Sequence, residues 1–305
     1  MNVSTPDDSL TAIITAIVPL AGVRAGSALV RVGGRLLLAQ DDEYTLFWLH
    51  VASDGDLSAL VTEAKPLQPG AGAMAKAAKP DFEAAAALPD GRIIVIGSGS
   101  AHPRRSVVLL DRDGDTFEVR DAARIYDLVA EEIGHELNIE GVVPIEGGLR
   151  LFHRGNSGPG NVTIDLAVDP DAPETARLIG ATSWDLGSAP GASGPVALTF
   201  TDAHAAAHPD GSESVRHWYL AAAEDTPNAI DDGPVVGAAI GWVDESIGSW
   251  TYLREVDGSI SVRKAEGLVV DPDASGAWIV TDPDDEHLSA ELCRVELTGW
   301  TAPVG

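Results

Sequence analysis

The chain holds a single cysteine, Cys293, so no internal disulfide framework can staple it. Aromatic residues make up only 5% of the 305 positions, and 20 Lys and Arg face 47 Asp and Glu, a net charge of −27. Such a charge repels a nucleic-acid backbone and an anionic lipid surface alike. Lysine is confined to positions 65, 76, 79 and 264. No apolar run reaches the ~20 residues of a membrane helix. The run from Leu10 to Leu20 is too short, and Asp7 and Asp8 precede it where a secretory signal carries Lys or Arg. The expectation is a cytoplasmic protein with neither a nucleic-acid nor a membrane partner, its dispersed acid serving solubility.

Helical periodicity is nearly absent too. Ala122–Leu137 is the one good candidate, with Ile125, Leu128, Val129 and Ile133 on one face. What fills the chain instead is short apolar runs punctuated by Gly, Asp and Pro, which read as strands and turns. They recur in a fixed order. A strand reaches a glycine turn (Gly33-Gly34, Asp90-Gly91, Gly147-Gly148, Asp210-Gly211, Ser275-Gly276), and a more apolar strand ends in a polar cluster. Such dipeptides supply the positive φ that tight hairpins require.

Five turns predict five units, with first strands starting near Ser27, Glu83, Glu140, Gly194 and Glu266. The gaps are 56, 57, 54 and 72 residues, the last lengthened by loops. A period near 55 with four strands per unit is the signature of a β-propeller. The expected fold is all-β: one domain over 1–305, a five-bladed β-propeller with blades near 21–65, 79–121, 138–185, 194–257 and 264–298. Strand 9–20 would complete the last blade, so that both termini close the ring and no long sheet edge stays free. One short helix falls between blades 2 and 3. Six blades would result if the fourth unit were two.

In a propeller the start of each blade's first strand and the end of its second emerge on one face. Glu83, Glu140 and Glu266 take that start position, with Asp81, Asn138 and Lys264 two residues earlier on the same side of an extended strand. The clusters add Asp41, Asn156, Asp225 and Asp282, and Lys79, Arg105, His153 and Arg154 lie on nearby segments. Buried carboxylates at one end of a channel need a cation, a proton or a basic side chain. Three outcomes stay open. A hard cation such as Ca2+ could sit among Glu83, Glu140, Asn156, Glu266 and Asp282. Basic side chains could neutralise the acids around a small polar ligand. Or the Glu side chains could fasten neighbouring blades by accepting backbone N–H bonds.

The segments Lys79-Pro80-Asp81-Phe82-Glu83-Ala84, Leu88-Pro89-Asp90-Gly91-Arg92, Asn138-Ile139-Glu140-Gly141, Leu151-Phe152-His153-Arg154-Gly155-Asn156, Ala223-Glu224-Asp225 and Lys264-Ala265-Glu266-Gly267-Leu268 resemble an uncharacterised bacterial β-propeller family, from about Ser27 to Leu297. That resemblance brings no activity with it. A shorter likeness, through Glu266-Gly267-Leu268, is to esterase-like phytase propellers, and the architecture is similar to calcium-dependent propeller lactonases, which use central Glu and Asn oxygens. The Lys and Arg near the mouth depart from a plain calcium cage.

Other motifs weigh less. Gly97-Ser98-Gly99 lacks the third glycine and following helix of a dinucleotide loop. No G-x-S-x-G elbow occurs. His204 and His208 have metal-like spacing on a strand and loop, and Asp111, Asp113 and Asp115 around Gly114 read as a hairpin turn. Trp218, Trp242, Trp250 and Trp278 read as packing residues, and Cys293 as an inert core thiol. The function expected is a small-molecule hydrolase of lactonase or phosphoesterase type. Glu140 and His153 would carry protons, and Lys79, Arg105, Arg154, Lys264, Asp41 and Asp225 would bind a small polar or anionic substrate. A non-catalytic propeller that binds a ligand or protein partner is one alternative. A glycoside hydrolase using paired carboxylates is the other.

Overall fold

The computed structural model describes residues 1–52, 57–68, 79–155, 160–208, 215–226, 233–285 and 287–300. After two N-terminal strands, β1 (Asn2–Pro6) and β2 (Thr11–Pro19), the chain runs through antiparallel meanders. The first is β3 (Gly26–Val32), β4 (Arg35–Gln40), β5 (Thr45–His50) and β6 (Val61–Pro66). The second is β7 (Phe82–Ala87), β8 (Ile93–Gly97), β9 (Ser106–Leu110) and β10 (Phe117–Asp121). Helix α1 (Ala123–Ile133) follows, and then β11 (Ile139–Ile145), β12 (Gly148–His153), β13 (Asn161–Asp169) and β14 (Ala172–Asp185). A small hairpin, β15 (Ser188–Gly191) with β16 (Gly194–Ala197), precedes β17 (Thr199–Ala207), β18 (Val215–Glu224), β19 (Val235–Val243) and β20 (Ile247–Arg254). The last run is β21 (Ala265–Val270), β22 (Gly276–Thr281) and β23 (Glu291–Thr298), and β2 pairs antiparallel with β23 as its fourth strand.

The first strands of the meanders pack on one another in cyclic order: β3 on β7, β7 on β11, β11 on β17, β17 on β21, and β21 back on β3. The architecture is all-β and propeller-like. Strand β1 pairs parallel with both β14 and β20, and β2 pairs parallel with β20, so the third, fourth and fifth meanders share one continuous sheet. Between meanders the second strands are almost wholly apolar. β8 (Ile93, Ile94, Val95, Ile96) and β22 (Ala277, Trp278, Ile279, Val280) are buried on both faces, as sheets stacked on either side demand. Each buried Ile or Val among them contributes roughly 1.5–3 kcal/mol. Trp218, Trp242, Trp250 and Trp278 all lie in this core with Cys293.

Helix α1 buries Ile125, Tyr126, Leu128, Val129 and Ile133, its start fixed by Asp121 Oδ1 accepting the Ala123 N–H at 2.9 Å. It stops short of the expected Leu137, because Gly134 takes a left-handed φ of 69° and ends it. The fourth meander also differs from expectation. Residues 194–197 belong to the separate β15–β16 hairpin, and the first strand begins at Thr199 and runs on through Ala207, where a loop was expected. The expected Pro209-Asp210-Gly211 turn lies outside the described residues.

Each first strand carries an irregularity at the same place. The ladder slips between Gly26 and Ala28, Phe82 and Ala84, Ile139 and Gly141, Phe200 and Asp202, and Ala265 and Gly267. A β-bulge leaves one residue unpaired and re-aims its side chain. The five extra residues are Ser27, Glu83, Glu140, Thr201 and Glu266. The next position is Ala, Ala, Gly, Asp and Gly, and at the two glycines the reason is steric. A Cβ on Gly141 would lie 2.8 Å from the Ala203 N, and one on Gly267 3.0 Å from the Leu29 N. Gly141→Ala is therefore expected to cost about 1–3 kcal/mol in urea unfolding. Gly34→Ala, in an open turn with nothing within 4 Å, should stay within about 0.5 kcal/mol of the parent chain.

Candidate functional site

The bulges gather the glutamates. One carboxylate oxygen each from Glu83, Glu140 and Glu266 lies within 4.8 Å of the others. A second group, Asp41, Asp81 and Glu83, meets the same criterion and shares Glu83 with the first. The other two bulge residues carry hydroxyls and fasten adjacent strands instead. Ser27 Oγ donates to the Phe82 carbonyl, and Thr201 Oγ1 to the Ala265 carbonyl at 2.6 Å. Each anchors the residue immediately before a glutamate.

Basic groups sit between the acids. Lys79 contacts Asp41 and, at 2.9 Å, Asp81. Arg154 reaches Glu224 at 2.5 Å and Glu140 at 3.5 Å, with its Nε donating to Thr199. Lys264 lies 2.9 Å from Asp284, 3.4 Å from Glu266 and 3.7 Å from Asp282. Asn138 donates to Glu140 Oε1 at 2.6 Å. Asp81, held at a φ of 55°, accepts from Ser98 and, at 2.8 Å, from Arg104.

The compensation is incomplete. Burial, then the neighbouring acids Asp81, Glu140, Asp41 and Glu266, hold the Glu83 carboxyl well above the usual range. Burial pushes Glu140 to about 8 although Arg154 pulls the other way, and it raises Glu266 against the pull of Lys264 and Arg154. For Lys79 burial disfavours the ammonium, but Asp41, Glu83 and Asp81 outweigh it and keep the side chain charged. Glu266 is 4% exposed, and its Oε1 accepts no hydrogen bond. The Lys264 ammonium stands 3.4 Å from that oxygen, and a carboxylate beside two more carboxylates has the chemistry of a hard-cation ligand.

Several expected site residues lie elsewhere. Arg105 pairs with Asp127 of α1 at 3.0 Å, while its neighbour Arg104 turns to Asp81. Glu224 takes the place expected of Asp225, since it is Glu224 that meets Arg154. Asp282 is not in the three-glutamate group. Lys264 stands beside both it and Glu266, and burial pushes Asp282 to about 8. His153 is buried, with Nε2 donating to the Glu136 carbonyl at 3.2 Å and Nδ1 unpartnered. Burial lowers its pKa, and its hydrogen bond goes to a backbone carbonyl and not to the carboxylate of Glu83, Glu140 or Glu266. It does not fit the expected proton carrier. Asn156 lies outside the described residues. His208 meets Arg216 at 3.0 Å, and neither it nor His204 joins a group suited to a metal among the described residues. Asp111 accepts the Asp115 N–H and closes a hairpin turn.

Asp202 went unnoticed in the sequence. It is fully buried, accepting the Ala203 N–H at 2.7 Å and, across to β21, the Leu268 N–H at 2.6 Å. It ties the fourth meander to the strand that carries Glu266. The signal was available as Phe200-Thr201-Asp202, which aligns with Phe82-Glu83-Ala84 and Ile139-Glu140-Gly141 once the strand start is set at Thr199.

No curated protein matches the chain by sequence. Among solved structures it is similar to Myxococcus xanthus glutaminyl cyclase, at 13% identity over 94% of this chain and 96% of that one, with a TM-score of 0.51. It is also similar to the PQQ-bound aldose sugar dehydrogenase of Streptomyces coelicolor, at 12% identity over 96% of this chain and 100% of that one, with a TM-score of 0.48. The first likeness is one of fold. A family model covers residues 22–297, nearly the whole run of meanders, and the chain belongs to that family, a family of unknown function designated DUF6929.

Proposed function

We propose that the five meanders are the blades of a closed five-bladed propeller, and that the mouth of its channel is a divalent-cation site serving a small-molecule hydrolase of lactonase or phosphoesterase type. The single meander β17–β20 favours five blades over six. One observation carries the functional reading: three glutamate oxygens from three different strands lie within 4.8 Å of one another, where burial and mutual repulsion outweigh the basic groups around them. Glu83, Glu140 and Glu266 would hold the ion, and all-oxygen donors suit Ca2+, Mg2+ or Mn2+ better than zinc or copper. A bound cation of this kind polarises a scissile oxygen and acidifies water.

This chain's own residues set the proton chemistry. With His153 turned to a backbone carbonyl, Glu140, oriented by Asn138 and Arg154, is the candidate proton carrier, and its rise to about 8 belongs to the ion-free site, since a coordinated carboxylate is ionised. Ring stacking on a sugar finds no support, since the four tryptophans named above are core residues. Non-catalytic binding of a small molecule at the same mouth is the competing outcome.

Two measurements decide. Calcium at 100-fold over its Kd should stabilise the fold by about 2.7 kcal/mol. Unchanged melting temperatures with Ca2+, Mg2+ and Mn2+ relative to EDTA would remove the ion from the account. A panel of esters, lactones and aryl phosphates should show turnover that Glu140→Gln lowers by about 10²–10⁴-fold. Silence across the panel, with the cation shift intact, leaves a binding module.

The pH dependence has a definite sign. Glu140 is neutral in the folded chain up to about 8, whereas an unfolded Glu ionises near 4.5. Between those values the folded state holds more protons, so this contribution to stability is complete below about 4.5, falls as pH rises, and levels above about 8. Metal-free protein is expected to melt lower at pH 8 than at pH 5. Glu83→Gln, which removes one of the three carboxylates that would hold the ion, should abolish the calcium-induced rise in melting temperature.

A further inference from the structure

Strand β10 is the outer edge of the second meander, and no strand pairs with its far side among the described residues. β1 pairs with β14 and β20, and β2 with β20 and β23, so the outer strands of the first two meanders, β6 and β10, gain no partner from either. Two bonds fix which way the β10 backbone points. The Asp111 N–H donates to the Thr116 carbonyl at 3.0 Å, and the Ala122 N–H to the Arg105 carbonyl at 3.3 Å. Both continue the register that sets Phe117 against Leu110 and Asp121 against Ser106. Bonded and non-bonded positions alternate along an antiparallel pair. Glu118 and Arg120 therefore bond to β9, and the N–H and C=O groups of Phe117, Val119 and Asp121 point outward. On β6 the Leu67 N–H donates to the Tyr44 carbonyl at 2.8 Å, which turns out Thr62, Ala64 and Pro66. Proline has no N–H to give and blunts that edge. β10 carries no such block.

The side chains alternate as well. Phe117 and Val119, 38% and 50% exposed, share a face with Leu110 and Val108. Glu118 and Arg120 take the other face, 2.8 Å apart, with Arg120 also 3.3 Å from Asp171. Two antiparallel copies of β10 can bring their outward groups together only if the twofold axis passes through a residue. Through Val119, Glu118 of each copy faces Arg120 of the other, and Val119 packs on Val119. Phe117 then meets Asp121, whose carboxylate is turned to the Ala123 N–H. Through Glu118 or Arg120, like charges stand opposite, which is destabilising. One register is thus complementary to itself in both charge and backbone phase, and that complementarity specifies a second copy of this chain as the occupant.

We propose that the chain self-associates through β10, two copies pairing antiparallel about Val119 so that their second meanders form one sheet across the twofold axis. Five residues a side make a small interface, and the dimer is correspondingly weak and reversible. The net charge of −27 on each copy opposes it at low salt. Association is therefore measured at 0.15 M ionic strength, where the screening length is about 8 Å.

Sedimentation velocity of the full chain from micromolar to millimolar concentration should show a monomer–dimer equilibrium. Val119→Pro deletes an outward N–H and no bond to β9, a position that an edge strand tolerates. Its melting temperature should stay near the parent's while the dimer Kd weakens at least tenfold. Glu118→Arg and Arg120→Glu should each weaken it at least fivefold. An equimolar mixture of these two variants should associate at least fivefold more tightly than either alone, because the unlike chains restore both cross-strand ion pairs. A chain that stays monomeric to millimolar concentration overturns the proposal and leaves the edge to a strand of some other protein. A dimer indifferent to Val119→Pro overturns the assignment to β10. A mixture no tighter than its components overturns the register about Val119.

Discussion

Repulsion among three buried carboxylates is the constraint around which the rest of this structure is arranged. Glu83, Glu140 and Glu266 come from strands far apart in sequence, and the bulge that opens each strand aims them at one point. Nothing in a sheet requires that. Left alone, the acids would be driven apart or would keep their protons. Lys79 faces Glu83, Arg154 and Lys264 both act on Glu140 and Glu266, and each of these cations is shared with further acids: Asp41 and Asp81, Glu224, or Asp282 and Asp284. The neutralisation is thus structured but short of complete, which is the condition under which a fold holds a place for a proton or a cation.

The repeating part of this design was legible in the residues. A glutamate followed by Ala or Gly at the head of an apolar strand, repeated near a 55-residue period, follows from two physical demands. The bulge turns the glutamate out of the ladder, and at Gly141 and Gly267 the next strand approaches too closely for a side chain behind it. Where the repeat was interrupted, legibility failed. The β15–β16 hairpin has the apolar pattern of a first strand, so the true start at Thr199 was missed, and Thr201 and Asp202 with it. The remaining slips are of one residue. Arg104 is used in place of Arg105, and Glu224 in place of Asp225, because adjacent residues point to opposite sides and pattern alone does not fix that phase. His153 and Arg154 part in the same way: Arg154 reaches Glu140 and Glu224, while His153 turns back to the Glu136 carbonyl.

The N-terminal strands bear on the same constraint. β1 bridges β14 and β20, and β2 joins β20 to β23, so the meanders carrying Glu140, Thr201 and Glu266 form one continuous sheet. The meander carrying Glu83 has no such tie. It is held to its neighbours by packing of β7 on β3 and β11, and by bonds such as Ser27 to the Phe82 carbonyl. Asp202 adds a further link within the continuous half, its two oxygens fixing β17 to β21 through backbone N–H groups. The two more deeply buried glutamates therefore sit on a rigid frame, and the third closes the group from a separately packed sheet. A site built this way can keep its acids at a separation set by covalently continuous strands and hydrogen-bonded ladders. It does not depend on the charges attracting one another, and mutual repulsion can persist in the folded chain only under that condition.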